Sequence, residues 1–325
     1  NGIWLRRAED ERMIRVDNVT IGYGTTSFIK AVDNVSLELG SNEIVGIAGE
    51  SGSGKSTLMR AIYGDFSTGL RIQSGTIEGQ FTDPQTGAVT QAPSTDFRKL
   101  WWDQISYVPQ GSMSVLNPLM KIEEQVIDGL PRRERQGSRS ELRARIVKFL
   151  SGFGLGEHVL DVYPHQLSGG IRQRVLVAIA AFVNPRLILA DEPTTALDVV
   201  VQKEVLSLIR DIQKEMGASV VFVTHDMSVH ANVADRVGII YAGRLVEEGP
   251  TRQMFFTPKH PYTAHLVASL PRIGDTQQRP ALEGRPPNLA DPPQGCRFHP
   301  RCPLAVDKCR KEVPPMIEVA PGQRS

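Results

Sequence analysis

One octet constrains this chain more than any other feature. Gly49-Glu50-Ser51-Gly52-Ser53-Gly54-Lys55-Ser56, continued by Thr57, fits G-x-x-x-x-G-K-[ST] and follows the short apolar run 43–48 directly. Glycines at this spacing let successive backbone N–H groups turn inward as an anion nest. A helical pattern begins at Ser56, so the positive end of a helix dipole points at the same spot. Lys55 can reach β- and γ-phosphates, and the Ser56 hydroxyl can ligate Mg²⁺. Strand, glycine turn and helix in that order make residues 49–57 the expected phosphate site for a nucleotide with Mg²⁺.

Such a site needs a carboxylate at the end of a buried strand. Residues 187–190 form an apolar run that ends in Asp191 and Glu192. Asp191 is expected in the Mg²⁺ shell, and Glu192 is placed to orient or deprotonate the attacking water.

Apolar and polar residues alternate over 14–21 and 31–39, which predicts an opening β-rich layer. Residues 74–99, rich in Gly, Thr, Gln, Pro and Ser, read as a loop or hairpin insertion. Helical spacing is expected at 56–63, 138–153, 172–182 and 199–215, with apolar strands at 187–190 and 219–223. Strands alternating with helices predict an α/β fold with a parallel-sheet core. After about residue 249 the character changes to a proline-rich stretch, 271–303, which predicts a loop-rich appendage.

Bulk properties exclude other roles. Lys plus Arg number 37 against 36 Asp plus Glu, a net charge of +1, so the basic excess of a nucleic-acid binder is missing. The longest apolar run, 175–183, has nine residues, well short of the roughly 20 that a membrane span needs. No signal-peptide pattern opens the chain, so a cytoplasmic location is expected. The three cysteines all fall within 296–309, and an odd count in a reducing compartment argues against a disulfide framework.

Leu167-Ser168-Gly169-Gly170-Ile171-Arg172-Gln173-Arg174 resembles the LSGG-x-x-QR signature of ATP-binding cassette (ABC) ATPases. Gln110, after a strand at 105–108, resembles the Q-loop, Ala196-Leu197-Asp198 the D-loop, and His225 the H-loop. Tyr23 is similar in position to the aromatic that stacks on adenine. The resemblance implies a P-loop cassette with a parallel-sheet core, a β-rich layer and a helical subdomain, over about residues 13–250. It implies that Gln110 joins Ser56 and Asp191 around Mg²⁺. It implies too that Ser168, Gly169, Gly170 and Asp198 act in trans, closing on ATP held by a second cassette. Only 113 positions separate Lys55 from Ser168, with no heptad run, unlike the coiled-coil repair ATPases of this family.

Residues 251–325 resemble the C-terminal extension of dipeptide and oligopeptide importers: His260-Pro261-Tyr262-Thr263, Ala268-Ser269-Leu270-Pro271, then Cys296, Cys302-Pro303 and Cys309. Relatives on this scaffold import nickel or oligosaccharides. The resemblance implies a second ATPase subunit (a heterodimer before a homodimer), two permease subunits and an extracytoplasmic solute-binding protein. It places the chain at the cytoplasmic face of the inner membrane. It also implies a 4Fe-4S cluster on the cysteines, with a fourth Cys just past a Pro-Gly. Here Pro321-Gly322 is followed by Gln323, Arg324 and Ser325. Zinc is the other metal that thiolates would suit.

Overall fold

The computed structural model describes residues 12–24, 27–82, 87–111, 115–270 and 282–325. The opening segment up to residue 11 and the prolines Pro271 and Pro280 lie outside the described residues.

Two sheets carry the fold. The first is antiparallel, in the order β2-β1-β4-β5: β1 (Arg12–Tyr23), β2 (Ile29–Gly40), β4 (Leu70–Thr82) and β5 (Val89–Pro93). Residues 74–99 are thus mostly strand, and β4 pairs with β5 as a hairpin. The second sheet has β3 (Ile44–Ala48), β6 (Ile105–Val108), β7 (Leu187–Asp191), β8 (Ser219–Val223), β9 (Arg236–Tyr241) and β10 (Arg244–Pro250). With β11 (Glu318–Ala320) and β12 (Gln323–Arg324) added, its order is β11-β12-β10-β9-β3-β8-β7-β6, with β9, β3, β8, β7 and β6 parallel to their neighbours within that run.

The central strands read as unbroken apolar runs because both of their faces are covered. In β3, Ile44 and Ala48 belong to the core under the helices. Val45 and Ile47 face the other way, into the core shared with the antiparallel sheet and α1 (Lys55–Tyr63). A third core lies in a helical lobe built from α2 (Ile122–Gly129), α3 (Arg139–Gly152) and α4 (Gly169–Phe182). The nine-residue apolar run is the body of α4. Its Val177, Ala180 and Ala181 face the sheet core while Val175, Ala178 and Ile179 face the lobe. Helices α5 (Val199–Met216) and α6 (Met227–Val233) complete the sheet's cover.

Where it is described, 282–303, the proline-rich stretch is loop-rich as expected, with one short 3-10 turn at His299–Arg301, and regular elements flank it. These are α7 (Thr251–Phe256), α8 (Pro261–Ala268), α9 (Asp307–Lys311), β11 and β12. Met254, Tyr262 and Phe298 are buried in the sheet core itself. Glu247 on β10 is fully buried and accepts from the N–H groups of Lys259 (2.8 Å) and His260 (2.9 Å) and from Gln323 Nε2 (2.7 Å). A buried carboxylate with three donors is satisfied, and here the donors come from two separate stretches of the extension.

Candidate active site

Every parallel strand of the large sheet delivers its C-terminal end to one edge, where an open α/β sheet binds ligands. At that edge β3 turns into the glycine loop and α1. Gly54, at φ 101°, caps α1, and a Cβ there would sit 2.2 Å from the Ala31 carbonyl oxygen. Only glycine suits a left-handed position in that contact. Lys55 is buried and folds over the loop, donating Nζ to the carbonyls of Gly49 (2.9 Å) and Glu50 (2.7 Å). Burial lowers its pKa, against the opposing pull of Glu192, Asp191 and Glu50.

Two strand ends meet the loop: β7 brings the carboxylates Asp191 and Glu192, and β6 brings the Tyr107 hydroxyl. Ser56 Oγ donates to Asp191 Oδ1 at 3.0 Å, and Tyr107 OH donates to Asp191 Oδ2 at 3.1 Å. Burial raises the Asp191 pKa, with those two hydrogen bonds opposing. A hydroxyl and a carboxylate oxygen side by side suit a hard divalent cation. Tyr107 was not legible in the sequence as part of the site.

Glu192 follows at φ 48°, a left-handed conformation that is rare outside glycine and costly to hold. Its own N–H bonds the Val223 carbonyl at 2.9 Å, which ties it to the neighbouring strand end. Thr195 Oγ1 donates to Oε2 at 2.5 Å, Gln110 Nε2 donates to the same oxygen at 3.3 Å, and His225 Nδ1 lies 3.3 Å from Oε1. Burial pushes the carboxyl up, but the Thr195 hydroxyl and His225 outweigh it and hold the pKa below the usual value. Thr195 is a second residue that sequence reasoning missed. Its signal was its place three residues after Glu192, on the turn that leads to Asp198.

Tyr23 is half-buried at the end of β1, with its hydroxyl 3.2 Å from Thr57 Oγ1. Together with Ser56, Thr57, Tyr107, Gln110 and Asp191 it lines a cleft of about 310 Å³. Not every loop residue turns inward. The Glu50 N–H donates to Tyr262 OH at 3.0 Å, so it is no part of an anion nest, and Ser51 and Gly52 are exposed.

None of the signature residues lines that cleft. Ser168 caps α4, its Oγ accepting from the Ile171 N–H at 3.3 Å. The helix starts at Gly169, which places the signature on its first turn. Asp198 caps α5 by accepting from the N–H groups of Val200 and Val201, both at 3.0 Å. Both residues therefore hold helix starts within this chain, whatever else they meet.

The cysteine expectation needs correcting. Cys296, Cys302 and Cys309 are free and half-buried, and the Cys296 N–H bonds the Cys309 carbonyl at 2.9 Å. Burial raises the Cys302 pKa, with the neighbouring thiols adding to it. Among the described residues no group of three or more His, Cys, Asp or Glu is arranged to hold a metal ion. The segment instead obtains its order from the buried Phe298 and from Arg297, which donates to Asp33 at 2.6 Å.

A glycine phosphate loop, a strand-end Asp-Glu pair and a parallel sheet that presents them at one edge define a P-loop nucleotide hydrolase. Comparison with known proteins narrows this. The family described as ABC transporter matches residues 32–195, and that described as oligopeptide/dipeptide transporter, C-terminal region, matches 246–309. The chain is 40% identical over 313 residues to the dipeptide transport ATP-binding protein DppD of Caldanaerobacter subterraneus subsp. tengcongensis, covering 94% of each. It is 40% identical to the oligopeptide transport ATP-binding protein AppD of Bacillus subtilis, covering 91% of this chain and 89% of that one. Among solved structures, the dimeric ATP-binding cassette MJ0796, in a post-hydrolysis state with ADP and Pi, aligns with a TM-score of 0.61. It is 32% identical and covers 74% of this chain and 99% of its own. The chain belongs to the ABC transporter family and is an ATP-binding subunit with ATPase chemistry.

Proposed function

We propose that this chain hydrolyses ATP to drive the import of peptides or similar small solutes, as one of two cassettes beneath membrane permeases. The observation that carries the reading is the convergence of Lys55, Ser56, Gln110, Asp191, Glu192 and His225 at one sheet edge. Glu192, kept ionised by Thr195 and His225, takes a proton from the attacking water or orients it. Gln110 and His225 fix the two carboxylate oxygens separately, so the base has one direction in which to act. Ser56, Asp191 and the Gln110 amide oxygen would hold Mg²⁺, which offsets charge on the β- and γ-phosphates when bound. Tyr23 offers its ring to the adenine.

Ser168, Gly169, Gly170 and Asp198 stand off the cleft. In this reading they close on ATP held by a second cassette, a different chain before an identical one. Residues 13–250 form the cassette and 251–325 the extension. Among the described residues no helix is long and apolar enough to cross a membrane. Two permease subunits would hold the chain at the cytoplasmic face of the inner membrane, and an extracytoplasmic binding protein would deliver solute. Nucleic acid has no part. The names of the dipeptide and oligopeptide transport relatives favour peptides over nickel or oligosaccharides as cargo.

Glu192→Gln tests the chemistry. ATP binding is retained and turnover in the assembled transporter falls by about 10²–10⁴-fold, the usual contribution of a positioned base. Wild-type turnover in that variant would remove Glu192 from this role.

A further inference from the structure

The phosphate loop is gripped by the chain's own C-terminal extension, through Glu50. Arg301 donates Nη1 to Glu50 Oε2 at 2.7 Å and Nη2 to Oε1 at 3.0 Å, and its side chain is only 6% exposed. The same guanidinium donates Nε to the Glu283 carbonyl at 3.1 Å and reaches Tyr241 OH at 3.3 Å. Tyr262, fully buried on α8, accepts the Glu50 N–H on its hydroxyl. The Glu50 carbonyl, in turn, accepts from Lys55 Nζ at 2.7 Å. One loop residue is therefore held at its carboxylate and its amide by the extension, and at its carbonyl by the phosphate-binding lysine. Pro286, Pro287, Asn288 and Leu289 flank the loop across a cavity of about 310 Å³.

Two physical consequences follow. A two-pronged guanidinium–carboxylate pair fixes orientation as well as distance, so the loop backbone cannot rotate freely around Glu50. A bare carboxylate beside a polyphosphate site repels its ligand and competes for Lys55, and the Arg301 charge offsets both.

We propose that Arg301, with Tyr262, is a positioning residue of the ATP site. It sets the loop geometry that presents Lys55 and it neutralises Glu50, so the extension controls ATP affinity. The inference rests on reading residues 49–57 as the phosphate loop.

ATP binding to the full chain tests it, by titration calorimetry with Mg²⁺ present. Arg301→Ala raises the Kd about tenfold, equivalent to about 1.4 kcal/mol. Adding Glu50→Gln brings it back to within about threefold of wild type, because the uncompensated charge is gone. A contact that only stabilised the fold would not be rescued by this neutral partner. Gln323→Ala, which loosens β12 without touching the loop, leaves the Kd unchanged. Should the alanine variant fail to fold, Arg301→Lys keeps the charge, loses the two-pronged contact and weakens binding by about threefold. An unchanged Kd in both Arg301 variants, or no rescue by Glu50→Gln, overturns the proposal. Equal ATP binding by wild type and Lys55→Ala would show instead that the phosphate-loop reading has failed, and the inference with it.

Discussion

Gly170 sits in the signature, where the family resemblance assigns it to phosphate approach, yet the structure gives it a second task. A Cβ built there meets Val201 Cγ1 at 2.2 Å, Cγ2 at 3.2 Å and Cβ at 3.3 Å. Val201 lies on the first turn of α5, so Gly170 faces the start of that helix from the start of α4. Contacts at 2.2 Å cannot be absorbed by small adjustments, which puts Gly170→Ala near the upper end of overpacking costs, about 3 kcal/mol. Alanine regains up to about 1 kcal/mol of helix propensity, leaving a net loss of about 2 kcal/mol. At roughly 2–4 °C per kcal/mol, the Tm falls by about 4–8 °C. Val201→Ala removes the clashing methyls and by itself costs about 1 kcal/mol, since the side chain is half-buried. The double variant should therefore melt at or above Val201→Ala alone, a coupling of the kind close neighbours show. Thermal unfolding of the four proteins by circular dichroism reads the cycle. A Gly170→Ala protein that melts with wild type, or a double variant no better than the sum of its parts, refutes the packing argument. Hydrolysis in the double variant then separates the two tasks: stability restored without activity leaves the phosphate approach as the remaining need for glycine.

Replacing Ser168 with a bulky residue such as Phe loses a helix cap worth about 1 kcal/mol, spares ATP binding by this chain and impairs hydrolysis in the assembled transporter. Loss of the chain's own ATP binding would contradict action in trans. Thr195→Val removes the hydroxyl that holds the Glu192 pKa down. Activity needs ionised Glu192 and is lost as pH falls through its pKa, so raising that pKa moves the acid limb of the pH–rate profile to higher pH. An unmoved acid limb would exclude Thr195 from tuning the base.

Local spacing carried most of the site. The loop 49–57 and the Asp191-Glu192 pair were legible because each needs particular residue types at consecutive positions. The strand 219–223 and the helices around 56–63 and 199–215 were legible for a similar reason, since apolar runs and helical periods are local patterns. What the sequence by itself determined was therefore the class of chemistry and the kind of sheet that presents it. Tertiary structure decided the rest, because it depends on groups brought together across the chain. Tyr107 and Asp191 are 84 positions apart, and Glu50 and Arg301 are 251 apart. No period or motif encodes such meetings. The extension shows this most clearly: its prolines predicted a loop-rich stretch, which 282–303 is, but nothing in them showed how it is held. The fold sinks Tyr262 and Phe298 into the sheet core and adds β12 and β11 beside β10. Two buried aromatic rings and the satisfied Glu247 carboxylate supply the anchoring that composition alone did not reveal, because burial is a property of the partner surface as much as of the segment.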